Sequence, residues 1–336
     1  MTLSPPGQAS ISIRRVSAEP LASIMPRLTV VVPVYNEAAV LEAFHARLSH
    51  VLDELPLDCD ILYIDDGSSD TTWQLIEGLA ARDARTGALK LSRNFGKEAA
   101  LTAGLDHVDA DAAVVIDADL QDPPELIPAL IERWRNGFDV VYATRTAREG
   151  ETSFKRFTSA LFYRSMEHVS ETRVPRDTGD FRLLSRRALD ALRQVRERQR
   201  FMKGLFTWIG YRQTAVYYLR EPRQAGTTKW NYWRLLQLAI EGFTSFSTAP
   251  LRLATWIGVM ASLLAFLYGA WVFGKALLLG DQVHGYPSLM VVILFMGGVQ
   301  MLALGVIGEY LGRNYAESKQ RPLYFIEERR TPRTRP

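Results

Sequence analysis

The fold is decided by the stretch Val115-Ile116-Asp117-Ala118-Asp119-Leu120-Gln121-Asp122-Pro123-Pro124, which has the pattern of a buried strand ending in carboxylates and an amide. Asp117 and Asp119 are two residues apart, so at a strand end their side chains point the same way and repel each other unless a cation lies between them. Hard oxygen ligands suit Mg²⁺ or Mn²⁺, which usually arrive with a phosphate-bearing substrate. An isolated Asp-x-Asp pair is more often a surface turn, so the assignment depends on the rest of the chain.

Outward from this stretch, the N-terminal half alternates apolar runs typical of strands with segments of helical spacing. The predicted strands are 28–34, 61–64, 88–91, 112–116 and 140–143, and the predicted helices are 38–52, 69–81, 97–107 and 124–134. This alternation predicts an α/β fold with a mostly parallel sheet and helices on both faces. In such sheets ligands bind at the carboxyl ends of the strands. Three strands deliver polar groups to that edge: Tyr35-Asn36-Glu37, Asp65-Asp66-Gly67 and Asp117-Ala118-Asp119.

The C-terminal third contains two long apolar stretches, 253–279 and 286–311, each about long enough to span a bilayer. The short link between them predicts a helical hairpin, and the alternative is a pair of buried core helices. Basic residues flank the outer ends of the pair: Arg252, Arg313, Lys319 and Arg321. The positive-inside rule therefore predicts that the N-terminal domain and the C-terminal tail are cytoplasmic.

Three further expectations concern the membrane region and its neighbours. Segment 231–247 has aromatic and aliphatic residues at helical spacing, which predicts an amphipathic helix in the membrane surface or, alternatively, a core helix. The second apolar stretch carries five glycines that permit close helix packing, so we expect a homo-oligomer. These are Gly297, Gly298, Gly305, Gly308 and Gly312. The tail segment 321–326 is expected to add a strand to a neighbouring copy.

Composition limits the possible functions. The 336 residues include 40 Lys and Arg against 37 Asp and Glu, and a net charge of +3 gives no signature of a nucleic-acid-binding protein. The single cysteine, Cys59, excludes an intramolecular disulfide and a cysteine-based metal site. The chain is predicted to divide into a polar leader without a signal-peptide core (1–27), an α/β domain (28–228), an amphipathic juxtamembrane segment (229–250), two transmembrane helices (251–312) and a basic tail (313–336).

Taken in order, the three strand-end motifs resemble those of the family 2 glycosyltransferases, which have a Rossmann-like GT-A fold. The resemblance implies that a nucleotide base and ribose lie against the first two motifs, at Pro33, Tyr35, Glu37, Asp65 and Asp66. Lys97, Asp117 and Ala118 would also bind the nucleotide sugar. A divalent cation, Mg²⁺ or Mn²⁺, would be held on the donor diphosphate by Asp119 and Gln121, with Asp117 beside them.

Other segments narrow the resemblance to polyprenyl-phosphate glycosyltransferases, and most closely to the bactoprenol glucosyltransferases of O-antigen modification. They are Asn94-Phe95-Gly96-Lys97-Glu98, Thr178-Gly179-Asp180-Phe181-Arg182-Leu183 and the two-helix tail. The resemblance implies inverting transfer of a hexose, glucose from UDP-glucose, to undecaprenyl phosphate at the bacterial inner membrane. The alternatives are transfer of aminoarabinose, mannose or GlcNAc, and a non-enzymatic membrane sensor of sugar nucleotides. No Gln-x-x-Arg-Trp string is present, which speaks against a processive polysaccharide synthase.

A lipid phosphate acceptor sets particular demands on the site. Its second pKa is about 6, so it is mostly a dianion at pH 7 and needs little help from a base. The larger task is to bring two anions together, which a cation and basic side chains make possible. The residues predicted to surround the acceptor phosphate are Arg145, Lys155, Arg156, Ser159 and Lys229. Asp119 and Asp180 are the predicted catalytic residues. The resemblance makes Asp180 the candidate base, with Asp177 as the alternative, but we expect Asp180 to orient its neighbours more than to remove a proton.

Overall fold

The structure, a computed structural model, describes residues 25–145, 178–198, 200–218, 249–279 and 285–332. One eight-stranded sheet organises the α/β part of these residues, in the spatial order β7-β5-β6-β4-β1-β2-β3-β8. The strands are β1 (Arg27–Val34), β2 (Asp58–Asp65), β3 (Thr86–Leu91), β4 (Ala112–Val115), β5 (Val140–Arg145), β6 (Thr178–Ser185), β7 (Gln213–Tyr218) and β8 (Ile326–Arg330). The pairings of β1 with β2 and β4, of β2 with β3 and of β5 with β7 are parallel, which confirms the predicted mostly parallel sheet.

Helices cover both faces of the sheet. They are α1 (Leu41–Asp53), α2 (Thr72–Arg82), α3 (Lys97–His107), α4 (Ile127–Arg135), α5 (Arg186–Gln194) and α6 (Met202–Trp208). Strand β1 is buried from Leu28 to Val34, as its mostly apolar sequence requires for a central strand. Gly104 lets α3 lie close against the sheet, because a Cβ there would come within 2.4 Å of Val31 Cγ1. The first α/β units therefore bring the ends of β1, β2 and β4 to one edge.

Two strands run against the majority direction. Strand β6 pairs antiparallel with both β4 and β5, and the sequence analysis identified its first residues as a motif without predicting a strand. Strand β8 pairs antiparallel with β3 of the same chain. Of the segment 321–326 that was expected to add a strand to a neighbour, only Ile326 belongs to β8, and β8 fills the edge of its own sheet. The expected pairing of this segment with a neighbour stays a prediction.

The two C-terminal apolar segments form long helices, α7 (Ala249–Leu279) and α8 (Tyr286–Ser318), which contact each other. Both are long and apolar enough to cross a membrane, and none of their apolar windows is buried within the chain. Among the described residues, that exposure favours membrane-spanning helices over the alternative of buried core helices. Glu309, a charge noted inside the second apolar stretch, pairs with Arg313 one turn later at 3.1 Å. Helix α8 continues beyond the predicted end at 311 as far as Ser318.

Candidate active site

The loops after β1 and β2 are fastened to each other at the carboxyl edge of the sheet. Asn36 adopts a left-handed backbone with φ 55°, and its side-chain oxygen accepts a hydrogen bond from the Ser69 amide at 2.8 Å. In return, the Asn36 amide donates to Ser68 Oγ at 3.0 Å. The Glu37 amide donates to Thr72 Oγ1 at 3.0 Å. These bonds hold the first two motifs together as one wall of a site.

Three residues predicted to contact the nucleotide lie along this wall. Pro33 is buried in β1, so its role is to shape the wall from within. Tyr35 is exposed at the strand end, with 45% of its surface accessible, and Glu37 is partly buried. An exposed aromatic ring beside a partly buried carboxylate suits a flat heterocycle with hydrogen-bonding groups. The predicted contacts of these residues with a base and ribose stay predictions.

Asp65 ends β2 with one carboxylate oxygen satisfied and the other not. Its Oδ1 accepts from the Ser68 amide at 3.1 Å and from the Ser68 hydroxyl. Its Oδ2 is buried and has no hydrogen-bond partner among the described residues. Burial raises the pKa of Asp65, and the bonds from Ser68 oppose that rise. A buried acceptor without a donor is costly unless a ligand supplies one, so Asp65 fits the predicted role in nucleotide binding.

Asp66 has a structural task that its motif did not reveal. Its two carboxylate oxygens accept hydrogen bonds from the backbone amides of Phe95 and Gly96, at 2.8 and 2.9 Å. The next residue, Gly67, has φ 67°, and a Cβ there would lie 2.5 Å from the backbone carbon of Arg93. The loop between β3 and α3 is therefore fixed by the motif at the end of β2. These bonds do not test the predicted contact of Asp66 with uracil or ribose. Each carboxylate oxygen has a second lone pair and can accept another hydrogen bond from a ligand.

Lys97, the first residue of α3, bridges two of the predicted acids. Its ammonium lies 2.7 Å from Asp117 Oδ2 and 2.5 Å from Asp180 Oδ2. Burial opposes the charged ammonium, but Asp117 and Asp180 outweigh that effect and raise the pKa of Lys97. The fixed loop before α3 thus delivers a permanent positive charge to the acidic strand ends. The start of α3, the residues after β4 and the start of β6 thus meet at one point.

Asp117 and Asp180 differ in how they respond to this environment. Burial raises the pKa of Asp117, and Lys97 only partly offsets the rise. Burial also acts on Asp180, but Lys97, Lys203 and Arg182 together outweigh it and lower the pKa of Asp180 to about 2. Asp180 is therefore ionised at any physiological pH and is a weak proton acceptor.

Leu120 makes a left-handed turn between the second acid and the amide of the third motif, with φ 58°. A left-handed conformation is unusual for leucine and is found most often where a site requires it. Asp119 Oδ1 accepts from the Gln121 amide at 3.0 Å, while the Gln121 side chain is buried. The buried Asp122 accepts a hydrogen bond from the Tyr218 hydroxyl. The motif is thus anchored to β7 on its far side.

The donor set at the end of β4 suits a divalent cation that arrives on a diphosphate. Asp119 follows Asp117 by two residues after β4, and its negative charge contributes to the raised pKa of Asp117. Within the described ranges no group of three His, Cys, Asp or Glu forms a complete metal cage. Mg²⁺ in nucleotide sites takes one or two carboxylates and completes its shell with phosphate oxygens and water. Asp117 and Asp119 fit that pattern, and Gln121 as a third ligand stays a prediction. Ala118 between them is buried.

Several predicted site residues lie outside what the structure describes. The backbone of Arg145 ends β5, and its side chain lies outside the described part. The other predicted acceptor residues and the alternative base also fall there, as does the predicted amphipathic segment 231–247. They are Lys155, Arg156, Ser159, Lys229 and Asp177. The acceptor side of the site is therefore a prediction from sequence.

The structure adds residues that the sequence analysis did not single out. Arg182 is buried beneath the acids, donates to the Gly179 carbonyl at 2.8 Å and stacks on Phe206 at 3.9 Å. Burial lowers its pKa to about 10. Burial also raises the pKa of Glu98 to about 7, with Asp180 contributing. A signal for Arg182 was available, because residues two apart on a strand share a face and Asp180 lies two residues before it.

Comparison with known proteins places these features in context. Residues 29–193 match the family model "Glycosyl transferase family 2", and residues 249–313 match "GtrB C-terminal hairpin". The chain is 50% identical over 301 residues to an uncharacterized glycosyltransferase of Synechocystis sp., covering 90% of this chain and 95% of the relative. It is 46% identical over 301 residues to the bactoprenol glucosyl transferase of Shigella phage SfV, covering 90% of this chain and 98% of the relative. Among solved structures, the mannosyltransferase PcManGT from Pyrobaculum calidifontis aligns with a TM-score of 0.48 at 17% identity, over 86% of this chain and 88% of that one.

Proposed function

Because this chain belongs to family 2 of the glycosyl transferases, with the GT-A fold predicted for it, we propose that it transfers glucose from UDP-glucose to a polyprenyl phosphate. The observation that carries the proposal is the 46% identity to a bactoprenol glucosyl transferase over 90% of the chain, with both the family 2 domain and the GtrB hairpin matched. The choice of glucose and of undecaprenyl phosphate rests on that relative's name. The site supplies the chemistry that such a transfer requires.

The donor side is formed by the three strand ends. Tyr35, Glu37 and Asp65 form the wall for the uracil and ribose, because they combine an exposed ring with acceptors at the end of the sheet. Asp66 positions the loop that carries Lys97, and Lys97 holds Asp117 and Asp180 in place. Asp117 and Asp119 would hold Mg²⁺ or Mn²⁺, which when bound offsets the negative charge that builds up on the departing UDP.

Transfer proceeds by displacement at the anomeric carbon. An oxygen of the lipid phosphate forms a bond to that carbon while the bond between the carbon and the UDP oxygen breaks, so the configuration of the carbon inverts. Because the attacking phosphate is already a dianion, the step needs no proton transfer. Asp180 positions Lys97 and is not the base, because its pKa of about 2 lies well below that of the phosphate. The predicted acceptor residues, the basic Arg145, Lys155, Arg156 and Lys229 together with Ser159, would hold the acceptor phosphate.

The hairpin supports a site at the surface of a membrane, which we propose is the bacterial inner membrane. Helices α7 and α8 would span the bilayer, with the catalytic domain and the C-terminus in the cytoplasm, where UDP-glucose is found. In intact cells a membrane-impermeant maleimide should label Gly285→Cys at the start of α8 and leave Ser318→Cys at its end unlabelled. Labelling of both, or the reverse pattern, would contradict the orientation. Homo-oligomerisation through the glycines of α8 stays a prediction.

The decisive experiment follows the sugar into lipid. The full-length protein in vesicles receives undecaprenyl phosphate, Mg²⁺ or Mn²⁺, and one radiolabelled donor at a time, and the lipid is then extracted and counted. UDP-glucose should give label that EDTA abolishes, and UDP-GlcNAc, GDP-mannose and UDP-aminoarabinose should give little. Asp117→Asn should abolish transfer, whereas Asp190→Asn, an exposed acid on α5, serves as the control. If a different donor labels the lipid, its sugar would replace glucose in the proposed reaction. If no donor labels the lipid, the proposal is refuted.

A further inference from the structure

A cavity of about 630 Å³ lies where the tail returns from α8 to the catalytic domain. Its walls come from the end of α3, from the segment after α5, and from the chain on either side of the end of α8. The side chains that matter here are Asp106, Arg196, Arg198, Glu317, Arg321 and Tyr324. We call this the arginine pocket. It is separate from the transfer site, since Asp106 is nine residues along α3 from Lys97, a rise of about 14 Å.

The two acids of the arginine pocket already have partners. Asp106 Oδ2 accepts hydrogen bonds from Arg196 at 2.7 Å and from the Tyr324 hydroxyl at 2.9 Å. Glu317 Oε1 accepts from the backbone amide of Arg198 at 2.6 Å. Because the acid beside it takes up the charge of Arg196, the guanidinium groups of Arg198 and Arg321 remain to act on a ligand.

Buried guanidinium donors lie at this pocket and beside it. Arg198 lines the pocket, and its Nη2 is buried and makes no hydrogen bond within the described residues. Two residues later, Arg200 Nε and Nη1 are also buried and without a hydrogen bond there, although Arg200 does not itself line the pocket. Buried charged donors are costly when unpaired, and the planar fork of a guanidinium matches the oxygens of a phosphate. The unmet donors therefore point to an anionic ligand of that shape.

The height of the pocket relative to the bilayer identifies the kind of phosphate. Glu317 lies one helical turn beyond Arg313, which is about 6 Å further along α8. The polar headgroup layer on each side of a bilayer is about 5–8 Å thick. If Arg313 marks the edge of the hydrocarbon region, as basic residues commonly do at the end of a span, then the pocket opens at the level of the headgroups.

We propose that the arginine pocket binds a phosphate group, supplied by the headgroup of an anionic phospholipid, through Arg198 and Arg321. Bound there, a lipid would join the end of α8 to the segment after α5 and fix the catalytic domain at the membrane surface. This binding is independent of the reaction proposed above, and it can be measured without any sugar transfer.

The test measures lipid and phosphate binding to the full-length protein. Native mass spectrometry in detergent gives apparent dissociation constants for added dioleoylphosphatidylglycerol and dioleoylphosphatidylcholine, and thermal unfolding with added inorganic phosphate reports on the free anion. The variants are Arg198→Gln, the exposed Arg321→Gln, which carries little risk to folding, and a control, Arg212→Gln. The control residue lies over Phe138, remote from the pocket in the sheet order.

The wild type should bind phosphatidylglycerol more tightly than phosphatidylcholine. Arg198→Gln should weaken the binding of phosphatidylglycerol about tenfold or more, the scale of one lost charge-assisted hydrogen bond, and Arg321→Gln should weaken it several-fold. Arg212→Gln should bind like the wild type. One outcome is that inorganic phosphate stabilises the wild type but not the arginine variants, while phosphatidylglycerol binds no more tightly than phosphatidylcholine. That result would support an anion site in the pocket and overturn the proposal that a lipid supplies the phosphate. Equal binding by the wild type and both pocket variants would overturn the site itself.

Discussion

Asp180→Asn decides whether this carboxylate takes a proton or positions Lys97. The pKa of Asp180 is about 2, whereas the second pKa of a lipid phosphate is about 6. Moving a proton from the phosphate to Asp180 would thus be unfavourable. At pH 7 about nine-tenths of the phosphate has already lost that proton, so a base could raise the rate by only about a tenth.

The expected effect on turnover comes instead from the bond between Asp180 and Lys97. Their 2.5 Å contact is charge-assisted, and such bonds contribute about 1.5–3 kcal/mol. Lys97 is 46% exposed, so water screens the pair and the lower end of that range applies. Asp180→Asn should therefore lower kcat about tenfold while the KM for UDP-glucose changes little, because the strand ends that hold the nucleotide are untouched.

The pH profile separates the two roles. Transfer into lipid is measured from pH 5 to 9 for the wild type, for Asp180→Asn and for the control Asp190→Asn on the exposed face of α5. If Asp180 positions Lys97, the wild type and Asp180→Asn both lose activity below about pH 6, as the acceptor phosphate gains a proton. Loss of that acid limb in Asp180→Asn alone would refute the positioning role and make Asp180 the base. Unchanged kcat would remove Asp180 from the mechanism.

Three other changes test the supports of the site. Gly67→Ala should lower the free energy of unfolding by about 1–3 kcal/mol in thermal or denaturant unfolding, because φ is 67° and the new Cβ would lie 2.5 Å from the loop after β3. The control is Gly258→Ala on α7, where a Cβ meets nothing within 4 Å and the loss of stability should be far smaller. Equal losses in the two variants would contradict the clash at Gly67. Burial raises the pKa of Glu98 from 4.5 to about 7, so between these pH values the folded state holds a proton that the unfolded state releases. The contribution of Glu98 to the free energy of unfolding therefore falls as pH rises from about 4.5 to 7. Glu98→Gln should reduce this dependence of stability on pH in urea titrations at pH 5 and 7.5, and an unchanged dependence would assign it to another group. Phe325→Ala should lower kcat several-fold, because the ring 6.3 Å from Phe95 supports the loop before α3, and full activity would show that the tail does not support the loop.

The elements that the sequence predicted share one property: their signal is local. Strand β1 is a mostly apolar run, and α3 begins and ends at the predicted residues, Lys97 and His107. Strand β8, Ile326–Arg330, has four charged residues out of five, so no apolar pattern marks it. An edge strand tolerates this composition because one side of it faces solvent, and charges there discourage pairing with other chains. Its place in the sheet depends on the edge of β3, which no local pattern can indicate.

The same distinction applies to the site. Clustered acids at strand ends were visible in the sequence, because an apolar run that ends in carboxylates is unusual. The bond partners of those acids were not, since Asp66 reaches the loop 29 residues later and Lys97 reaches Asp180 83 residues later. Residue type predicted a negatively charged site that needs a cation. Only the arrangement of α3, β4 and β6 shows that a lysine supplies part of the positive charge.

The path of the tail limits how the site can meet a lipid. Helix α8 ends at Ser318 and β8 begins at Ile326, so at most about 29 Å of chain joins the end of the span to the edge of the sheet. Strand β8 is held by its ladder with β3, and the Ser92 amide donates to the Phe325 carbonyl at 2.9 Å. The catalytic sheet therefore cannot move far from the point where α8 leaves the membrane. A transferase whose acceptor phosphate is confined to the headgroup layer requires this restraint. A domain on a long flexible linker would sample many heights above the membrane, and its donor site would be level with the acceptor phosphate only briefly.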